Sequence, residues 1–484
     1  MRYLVLTTLI VLGVGKTVQS KSLRVAAEPL PNIVLIMADD LGYGDIKCYN
    51  RDSKIPTPHI DRLASQGTRF TDAHSPAAVC VPTRYGLLTG RFPFRMQRRG
   101  NGPLLAPNRM TIGSLLSAHD YRTACIGKWH LGFENEKSPE DNQPLRGGPV
   151  DRGFSSFFGI PASLDIPPYY YINGDRCLAP PLLRTAASRS PDWSPIQGAF
   201  WRAGGIAPGF KHAEVTPRLL AKVVGFLDDH HLKQRRQPFF LYLALPSPHT
   251  PWLPVHRFQG KSNAGAYGDF VVQVDDVVGQ VMKALQRNEW EQNTLVFFTS
   301  DNGPVWYPSD TRKYDHDATG GLRGMKGDAW EGGHRMPFIA RWPTRVAAGR
   351  KSTQMICHTD VLATLADLLG VDLPTNAGED SLSFLSELTT AETQGHSRAA
   401  LIHQSSARVL SVRNGPWKLI PQLGSGGFTK PRRVKPQPGD PQGQLYNLHT
   451  DLAETTNVYK QHPDIVRRLT LIVDDFRERG RSRP

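Results

Sequence analysis

Short apolar runs recur along the chain, separated by segments with helical periodicity. One amphipathic helix is predicted to begin at Thr216, and another to run from Thr359 to Gly370. Strands that alternate with helices predict an α/β fold whose sheet is covered by helices on both faces. Four apolar runs predict buried strands of a mostly parallel sheet: Ile33–Ala38, Arg122–Ile126, Phe239–Leu245 and Leu295–Thr299.

The pattern changes near residue 380, where the polar stretch to His396 marks a domain boundary. We therefore predict a large domain at residues 28–380 and a C-terminal subdomain at residues 395–484. A last helix is predicted over about Pro463–Arg477. The stretch Pro161–Gly209, which contains Tyr169–Tyr171, predicts a long excursion over the surface. Short antiparallel strands of the subdomain are predicted at Ala399–His403, Ala407–Val412 and Trp417–Ile420.

Residues 1–20 have the pattern of a signal peptide. Arg2 precedes the apolar run Tyr3–Val14, and Val18-Gln19-Ser20 provides a small-residue cleavage site. The run is shorter than the roughly 20 residues that a permanent membrane span needs. We therefore predict an exported protein, periplasmic or secreted, without stable membrane insertion. The absence of an Asn-x-Ser/Thr sequon favours a bacterial origin.

The net charge indicates which classes of partner suit the chain, and the cysteine count bears on disulfide pairing. The chain has 58 Lys and Arg against 44 Asp and Glu, a net charge of +14, which suits polyanionic partners. Nucleic acid fits poorly, because the chain is predicted to be exported and has no aromatic-basic binding motif. The five cysteines are an odd number, so pairing in an oxidising compartment would leave one over.

Polar residues follow each of the four predicted strands. Asp39 and Asp40 follow the first strand, Asp301 and Asn302 the last, and Lys128, His130 and His249 the other two. In open α/β sheets, ligands bind at the carboxyl ends of the strands. Carboxylate and amide oxygens select a hard cation, calcium or magnesium, although each pair alone could equally cap a helix or turn.

Cys80 is predicted to stand at the N-terminus of a helix. Pro82 suits the first helical turn, and Arg84 lies one turn on. Both the helix terminus and the arginine are expected to lower the pKa of the thiol. From these residues alone a structural cysteine and a cysteine hydrolase, with His130 or His249 as base, both stay open.

Seven longer motifs follow one another along the chain: Asn32–Asp45, Cys80–Arg91, Gly127–Gly132, Gly159–Asp165, Pro246–Trp252, Thr299–Pro304 and Gly324–Pro343. Together they resemble the type I, formylglycine-dependent sulfatase family, especially arylsulfatase A-like enzymes and bacterial carbohydrate sulfatases. The resemblance implies an alkaline-phosphatase-like α/β domain with a large mixed sheet between helices. It also implies a smaller C-terminal α+β domain with a short antiparallel sheet.

The resemblance further implies that a formylglycine-generating enzyme oxidises Cys80 to formylglycine (3-oxoalanine). One hydroxyl of the hydrated aldehyde then attacks sulfur, and Arg84 holds the hydrate. His130 takes a proton from the second hydroxyl, so that sulfate leaves and the aldehyde returns. Calcium, rather than magnesium, is implied as the cofactor, with four ligands carried over from the family motifs: Asp39, Asp40, Asp301 and Asn302.

The sulfate group itself is implied to contact Lys128, His249, Lys326 and, as an active-site serine, Ser163. His249 or Lys326 would protonate the departing alcohol. The implied function is a sulfuric ester hydrolase for sulfated carbohydrates or aryl sulfates. Two alternatives remain: a phosphodiesterase or phosphonate monoester hydrolase of the alkaline phosphatase superfamily, and a non-catalytic protein that binds sulfated glycans.

Overall fold

The computed structural model describes residues 29–97, 102–137, 139–140, 143–390 and 398–484. The predicted signal peptide lies outside these residues. Within them, no helix combines the length and the apolar character that crossing a bilayer requires. Residues Pro31–Pro484 group into one compact unit.

The strands belong to one large sheet and several smaller ones. In chain order they are β1 (Asn32–Asp39), β2 (Thr68–Phe70), β3 (Ala73–His74), β4 (Arg122–Lys128), β5 (Ser156–Ile160), β6 (Ile172–Asn173), β7 (Arg176–Cys177), β8 (Leu183–Thr185), β9 (Gly204–Ile206), β10 (Phe239–Pro248), β11 (Thr294–Ser300), β12 (Phe338–Arg341), β13 (Arg350–Ser352), β14 (Ile356–Cys357), β15 (Leu401–Gln404), β16 (Leu410–Asn414), β17 (Trp417–Ile420) and β18 (Gln444–Asn447).

Helices pack against strands of the large sheet, and the last helix packs against the small C-terminal one. They are α1 (Pro58–Ser65), α2 (Cys80–Thr89), α3 (Ile112–Ser117), α4 (Val215–Gln234), α5 (Gly265–Arg287), α6 (Pro308–Tyr314), α7 (Glu331–His334), α8 (Asp360–Leu368), α9 (Leu385–Thr389) and α10 (Pro463–Glu478).

The four apolar runs of the sequence form the centre of the large sheet. Its strand order is β13-β2-β12-β11-β1-β10-β4-β5-β6-β7, and β11, β1, β10, β4 and β5 run parallel. β12 and β6 pair antiparallel with their neighbours, so the sheet is mixed. Every residue of β1, β10 and β11 is buried, which explains why these strands read as continuous apolar runs. The predicted α/β architecture is confirmed.

Two local predictions need correction. Thr216 does not cap a helix: α4 begins at Val215 after a 3-10 turn, and the Thr216 hydroxyl donates to Ser247 Oγ at 3.3 Å. The tyrosines Tyr169–Tyr171 are not on the surface, because their exposed fractions are 2%, 0% and 5%. They pack into the main core, so the excursion that carries them is anchored by its aromatic residues.

The C-terminal part contains an antiparallel sheet in the order β15-β16-β17-β18. Helix α10 packs on β16 and β17 and buries Leu469 and Phe476 against Leu401 and Val412. This confirms the predicted small sheet and last helix, although β18 was not predicted. The domain boundaries near residues 380 and 395 stay a prediction, since the small sheet packs into the same compact unit.

A buried histidine cluster joins the small C-terminal sheet to β3 and α7. Lys418 on β17 lies 3.0 Å from Nε2 of His334, and Nδ1 of His334 lies 3.2 Å from Nδ1 of His74. Because the ammonium group only donates, His334 accepts at Nε2 and donates from Nδ1 to His74. His74 then donates from Nε2 to Asp72 at 2.8 Å, and His403 stacks on His334 with ring centroids 3.7 Å apart.

The cluster is neutral at its centre and charged around it. Burial lowers the pKa values of His74, His334 and His403 below their ordinary value. The surrounding charges are matched in number, three basic and three acidic side chains. They are Lys418, Arg335, Arg413, Asp72, Glu331 and Glu454.

The free energy of unfolding is expected to fall as the pH drops below about 6.5. At that pH these histidines bind protons in the unfolded chain but stay neutral in the folded protein. Glu454, whose pKa burial raises to about 7, takes up its proton in the folded protein and offsets part of this loss. The substitution His403→Phe keeps an aromatic ring at this position and removes one group that binds a proton in the unfolded chain. The pH slope of the unfolding free energy should therefore shrink by about 0.7 kcal/mol per pH unit at pH 6.5, and by roughly 1.2 kcal/mol per pH unit at pH 5.5, where the unfolded histidine is almost fully protonated. Urea unfolding between pH 5.5 and 7.5 measures the slope, and an unchanged slope contradicts the prediction.

Candidate active site

The predicted site residues lie at one edge of the sheet, where the four parallel strands end. β1 ends at Asp39, and Asp40 turns the chain with φ 63°. β4 ends at Lys128, and His130 adopts a similar left-handed φ of 59°. Left-handed backbone is uncommon for residues other than glycine and clusters at functional sites. The turn at Asp40 allows both neighbouring aspartates to face the same space.

Four oxygen-bearing side chains meet at this edge. The Asp40 amide donates to Asp301 Oδ1 at 3.2 Å, and Asn302 Nδ2 donates to Asp40 Oδ1 at 2.6 Å. Asp39 Oδ1 and Asn302 Oδ1 are buried and accept no hydrogen bond from the described residues. Buried acceptors without a donor are costly unless another group satisfies them. The donor set, oxygen atoms only, fits a hard cation such as calcium.

Three basic side chains surround the carboxylates. Arg84 donates to Asp301 Oδ2 from Nη2 at 2.9 Å and to the Lys128 carbonyl at 2.9 Å. The amine of Lys128 contacts Asp39, and that of Lys326 lies 2.6 Å from Asp40 Oδ1. All three cations are buried, so each is held by a carboxylate rather than by water.

The pKa values of the two central carboxyls are pushed apart. Burial opposes ionisation of Asp39, but Lys128, His249, Arg84 and Lys326 outweigh it and lower the pKa of that carboxyl. Burial and the charge of Asp39 raise the pKa of Asp301 to about 6. This separation follows from like charges held close together in a buried site.

Cys80 is the first residue of α2, as predicted, and its Sγ lies 3.4 Å from His130 Nδ1. The expected low thiol pKa is wrong. Burial raises the pKa of Cys80 more than Lys128 and Lys326 lower it. Arg84, which was expected to lower it, directs its guanidinium to Asp301 and the Lys128 carbonyl instead. Burial and Lys128 also lower the pKa of His130.

His249 lies beside the carboxylates. Its Nδ1 donates to the Thr250 carbonyl at 2.7 Å, so Nε2 is the nitrogen that faces Asp40, at 3.6 Å. Asp165 Oδ1 lies 4.0 Å from Nδ1, and Arg202 holds the other Asp165 oxygen at 2.5 Å. Sequence reasoning gave Asp165 no role, although it lies in the segment Gly159–Asp165 that supplied Ser163.

Ser163 is the predicted residue that the contacts support least. It is buried, and its hydroxyl has no partner in the described part of the chain. Its segment passes close to the site, since the His130 amide donates to the Pro161 carbonyl at 2.9 Å. Each of the other predicted site residues contacts at least one further predicted site residue. These are Asp39, Asp40, Cys80, Arg84, Lys128, His130, His249, Asp301, Asn302 and Lys326.

The site combines an oxygen cluster suited to a hard cation with a reactive position lined by basic groups. This is the arrangement of a hydrolase for anionic esters. The family model described as Sulfatase matches residues 31–371, which is most of the chain. The chain therefore belongs to the sulfatase family, and it is a sulfatase.

Similar proteins agree with this assignment. N-acetylgalactosamine-6-O-sulfatase of Bacteroides thetaiotaomicron is 32% identical, with 93% of each chain aligned. Human arylsulfatase A is 36% identical over 71% of this chain and 65% of its own. A solved sulfatase structure from glycosaminoglycan metabolism in B. thetaiotaomicron covers 92% of this chain and 99% of its own. It has a TM-score of 0.80 and 32% identity.

Proposed function

We propose that this sulfatase hydrolyses sulfate esters of carbohydrates. Cys80 would act as nucleophile in its formylglycine form, and Asp39, Asp40, Asp301 and Asn302 would hold a calcium ion. The observation that carries the proposal is the pair of buried, donor-free oxygens on Asp39 and Asn302. The ligand atoms of Asp39, Asp301 and Cys80 lie within 4.8 Å of one another, so an ion there would be close to the nucleophile.

Calcium suits the four oxygen ligands, and when bound it would withdraw charge from the sulfate oxygens and the nucleophile. Hydrated formylglycine would supply two hydroxyls on one carbon, one for attack and one for release. A formylglycine-generating enzyme is the partner that this maturation requires. We also propose that the chain is exported, to the periplasm or outside the cell, as the predicted signal peptide requires.

The protein's own residues then bind and stabilise charge. Lys128 and Lys326 are fixed by Asp39 and Asp40, so their ammonium groups stay close to the sulfate position without reorganisation. Arg84 is fixed by Asp301 and the Lys128 carbonyl and holds the group at position 80 in place. Ser163 is assigned a contact to the substrate, since its buried hydroxyl is unsatisfied.

Two histidines move protons in this proposal. His249 keeps Nδ1 bonded to the Thr250 carbonyl, so Nε2 of its imidazolium form would protonate the departing alcohol, with Lys326 as the alternative donor. His130 has its Nδ1 3.4 Å from Cys80 Sγ, within reach of a hydroxyl at that position. Burial and the charges of Lys128 and Arg84 lower the pKa of His130, so the neutral ring accepts a proton.

The substrate class is proposed from the relatives together with the charge. The B. thetaiotaomicron relative and a rat relative, 32% identical over 77% of this chain, are both N-acetylgalactosamine 6-sulfatases by name. The net charge of +14 favours a polyanionic substrate. We therefore propose 6-O-sulfated N-acetylgalactosamine as the first substrate to test, with an aryl sulfate as the second.

Protein produced together with a formylglycine-generating enzyme is expected to carry an aldehyde at Cys80. The measurement is the mass of the tryptic peptide Phe70–Arg84, together with hydrazide capture of the aldehyde. An intact thiol, under conditions that convert a control sulfatase, would remove the proposed nucleophile.

The converted protein should release sulfate and leave phosphate diesters and phosphonate monoesters nearly untouched. Preference for either phosphorus ester would favour the phosphodiesterase or phosphonate hydrolase alternative. Binding of a sulfated glycan without turnover, unchanged in Cys80→Ala, would favour a non-catalytic binding protein.

A further inference from the structure

The two neighbouring aspartates of the proposed calcium site face one space because the backbone turns at Asp40. Its φ of 63° is left-handed, a conformation that costs free energy in a residue with a side chain. Asp39 still belongs to β1, so extended backbone at Asp40 would direct the two side chains to opposite faces of the sheet. The site therefore depends on the contacts that hold this turn.

Two buried hydroxyls contact the backbone of the turn. The Tyr267 hydroxyl donates to the Asp40 carbonyl at 3.1 Å, and Ser300 Oγ accepts from the Leu41 amide at 2.9 Å. The Ser300 hydroxyl donates to the Asn302 carbonyl at 3.1 Å, which ties the turn to the other segment that carries proposed calcium ligands. The exposed fractions of Tyr267 and Ser300 are 1% and 0%, so neither contact competes with bulk water.

The Tyr267 hydroxyl also contacts a carboxylate, that of Asp45. Asp45 Oδ1 accepts from His316 Nε2 at 2.8 Å. His316 Nδ1 accepts from the Lys54 amide at 3.3 Å, so Nε2 is the nitrogen that carries the proton. Asp45 Oδ2, the oxygen that Tyr267 contacts, accepts from the Gly42 amide at 2.6 Å. Asp45 therefore joins the tyrosine to the chain that follows the turn.

The phenol ring of Tyr267 is held by aromatic neighbours. Trp252 and Trp306 lie against it, with ring centroids 5.2 and 5.1 Å away. Tyr267 belongs to the first turn of α5, a helix of 23 residues. The position of its hydroxyl is therefore set by the core and by a long helix, before any ion binds.

We propose that Tyr267 and Ser300 are positioning residues for the calcium site. Their hydroxyls hold the turn at Asp40 and keep its carboxylate beside the other ligands, so that the site is formed in advance of the ion. The inference rests on the proposed function and adds to it the groups that preorganise the cation site. Removal of a group that orients a metal ligand typically weakens metal binding by about 10–100-fold.

Calcium affinity tests the proposal independently of turnover. Tyr267→Phe keeps the ring and its packing, while the Asp40 carbonyl loses its donor. The calcium Kd of the full chain, measured by calorimetry after chelation, is expected to rise at least about tenfold. In the converted enzyme the calcium concentration for half-maximal sulfate release should rise by the same factor. The rate at saturating calcium should stay within about threefold, because bound calcium restores the turn.

Tyr121→Phe is the matched control. Tyr121 is also buried, and its hydroxyl donates to the Pro31 carbonyl at 2.9 Å, before β1 begins. The control loses the same kind of hydrogen bond, so its folding stability should fall while its calcium Kd stays within about twofold of wild type. A purely structural role of Tyr267 would give the same result as this control.

Ser300→Ala removes the second hydroxyl and leaves the tyrosine in place, so it tests the turn even if Tyr267→Phe does not fold. The same rise in calcium Kd is expected. An unchanged Kd in either folded variant would overturn the assignment of that residue, and an equal rise in Tyr121→Phe would overturn both assignments. These results would leave the proposed function standing. No calcium binding by the wild-type chain would overturn the proposed cation site, and the inference with it.

Discussion

Cys80→Ala is expected to lower the rate of sulfate release from 6-O-sulfated N-acetylgalactosamine by about 10⁴-fold or more, since removal of a nucleophile has effects of this size. The alanine side chain cannot be converted and carries no attacking group. The remaining site still holds Lys128, Lys326 and His249, so substrate binding should be largely retained. Released sulfate, measured by ion chromatography under saturating substrate, checks the rate.

Cys48→Ala is the matched control, because Cys48 is half-buried away from the site and should leave the rate within about twofold of wild type. Cys80→Ser distinguishes the need for an attacking hydroxyl from the need for the second hydroxyl of the hydrate. Because serine has only one hydroxyl, the variant should take up one sulfate per chain and then stop. Sustained turnover by either Cys80 variant would show that another group attacks sulfur.

Removal of divalent cations is expected to abolish activity and to lower thermal stability, and calcium should restore both. A ligand at 100 times its Kd stabilises the folded state by about 2.7 kcal/mol. The effect is expected because bound calcium would satisfy the buried oxygens of Asp39 and Asn302 and neutralise the neighbouring carboxylates. Unfolding curves with and without calcium, after chelation, provide a measurement independent of turnover.

Asn302→Leu should lose most of the calcium-dependent stabilisation, because it removes a donor-free oxygen without changing the charge. Asn288→Leu is its control, since Asn288 is buried and hydrogen-bonded to Asp228 and the Ala284 carbonyl. An equal calcium shift in Asn302→Leu and wild type would place the cation elsewhere. Restoration by magnesium but not calcium would correct the identity of the metal.

The sequence predicted the centre of the fold because burial on both faces leaves a clear signal. Strands such as β1 and β10 are runs of apolar residues, and the polar residues that follow them had to meet at one sheet edge. Strands of two or three residues, such as β6 and β7, are too short to show a period, and β18 lies in a region without one.

Other features depend on contacts between residues distant in the chain. His74, His334 and His403 have no distinguishing neighbours in sequence, yet they meet in one buried cluster. The raised thiol pKa of Cys80 likewise depends on how completely the fold removes water, which a motif does not record. Asp165 belonged to a recognised segment, but its position beside His249 needed coordinates.

The C-terminal sheet changes what counts as the smallest piece of this protein that could be expressed alone. The family model ends at residue 371, but Lys418 is a partner of Glu331 and His334, which lie within the residues that the model matches. The Gln404 carbonyl accepts from the Ala78 amide, two residues before Cys80. A fragment cut after residue 371 would therefore leave the buried Glu331 with Arg335 but without Lys418, and the segment before Cys80 without its neighbouring strand. We therefore expect the residues up to 371 and the C-terminal sheet to be needed together in any expressed or engineered form of the protein.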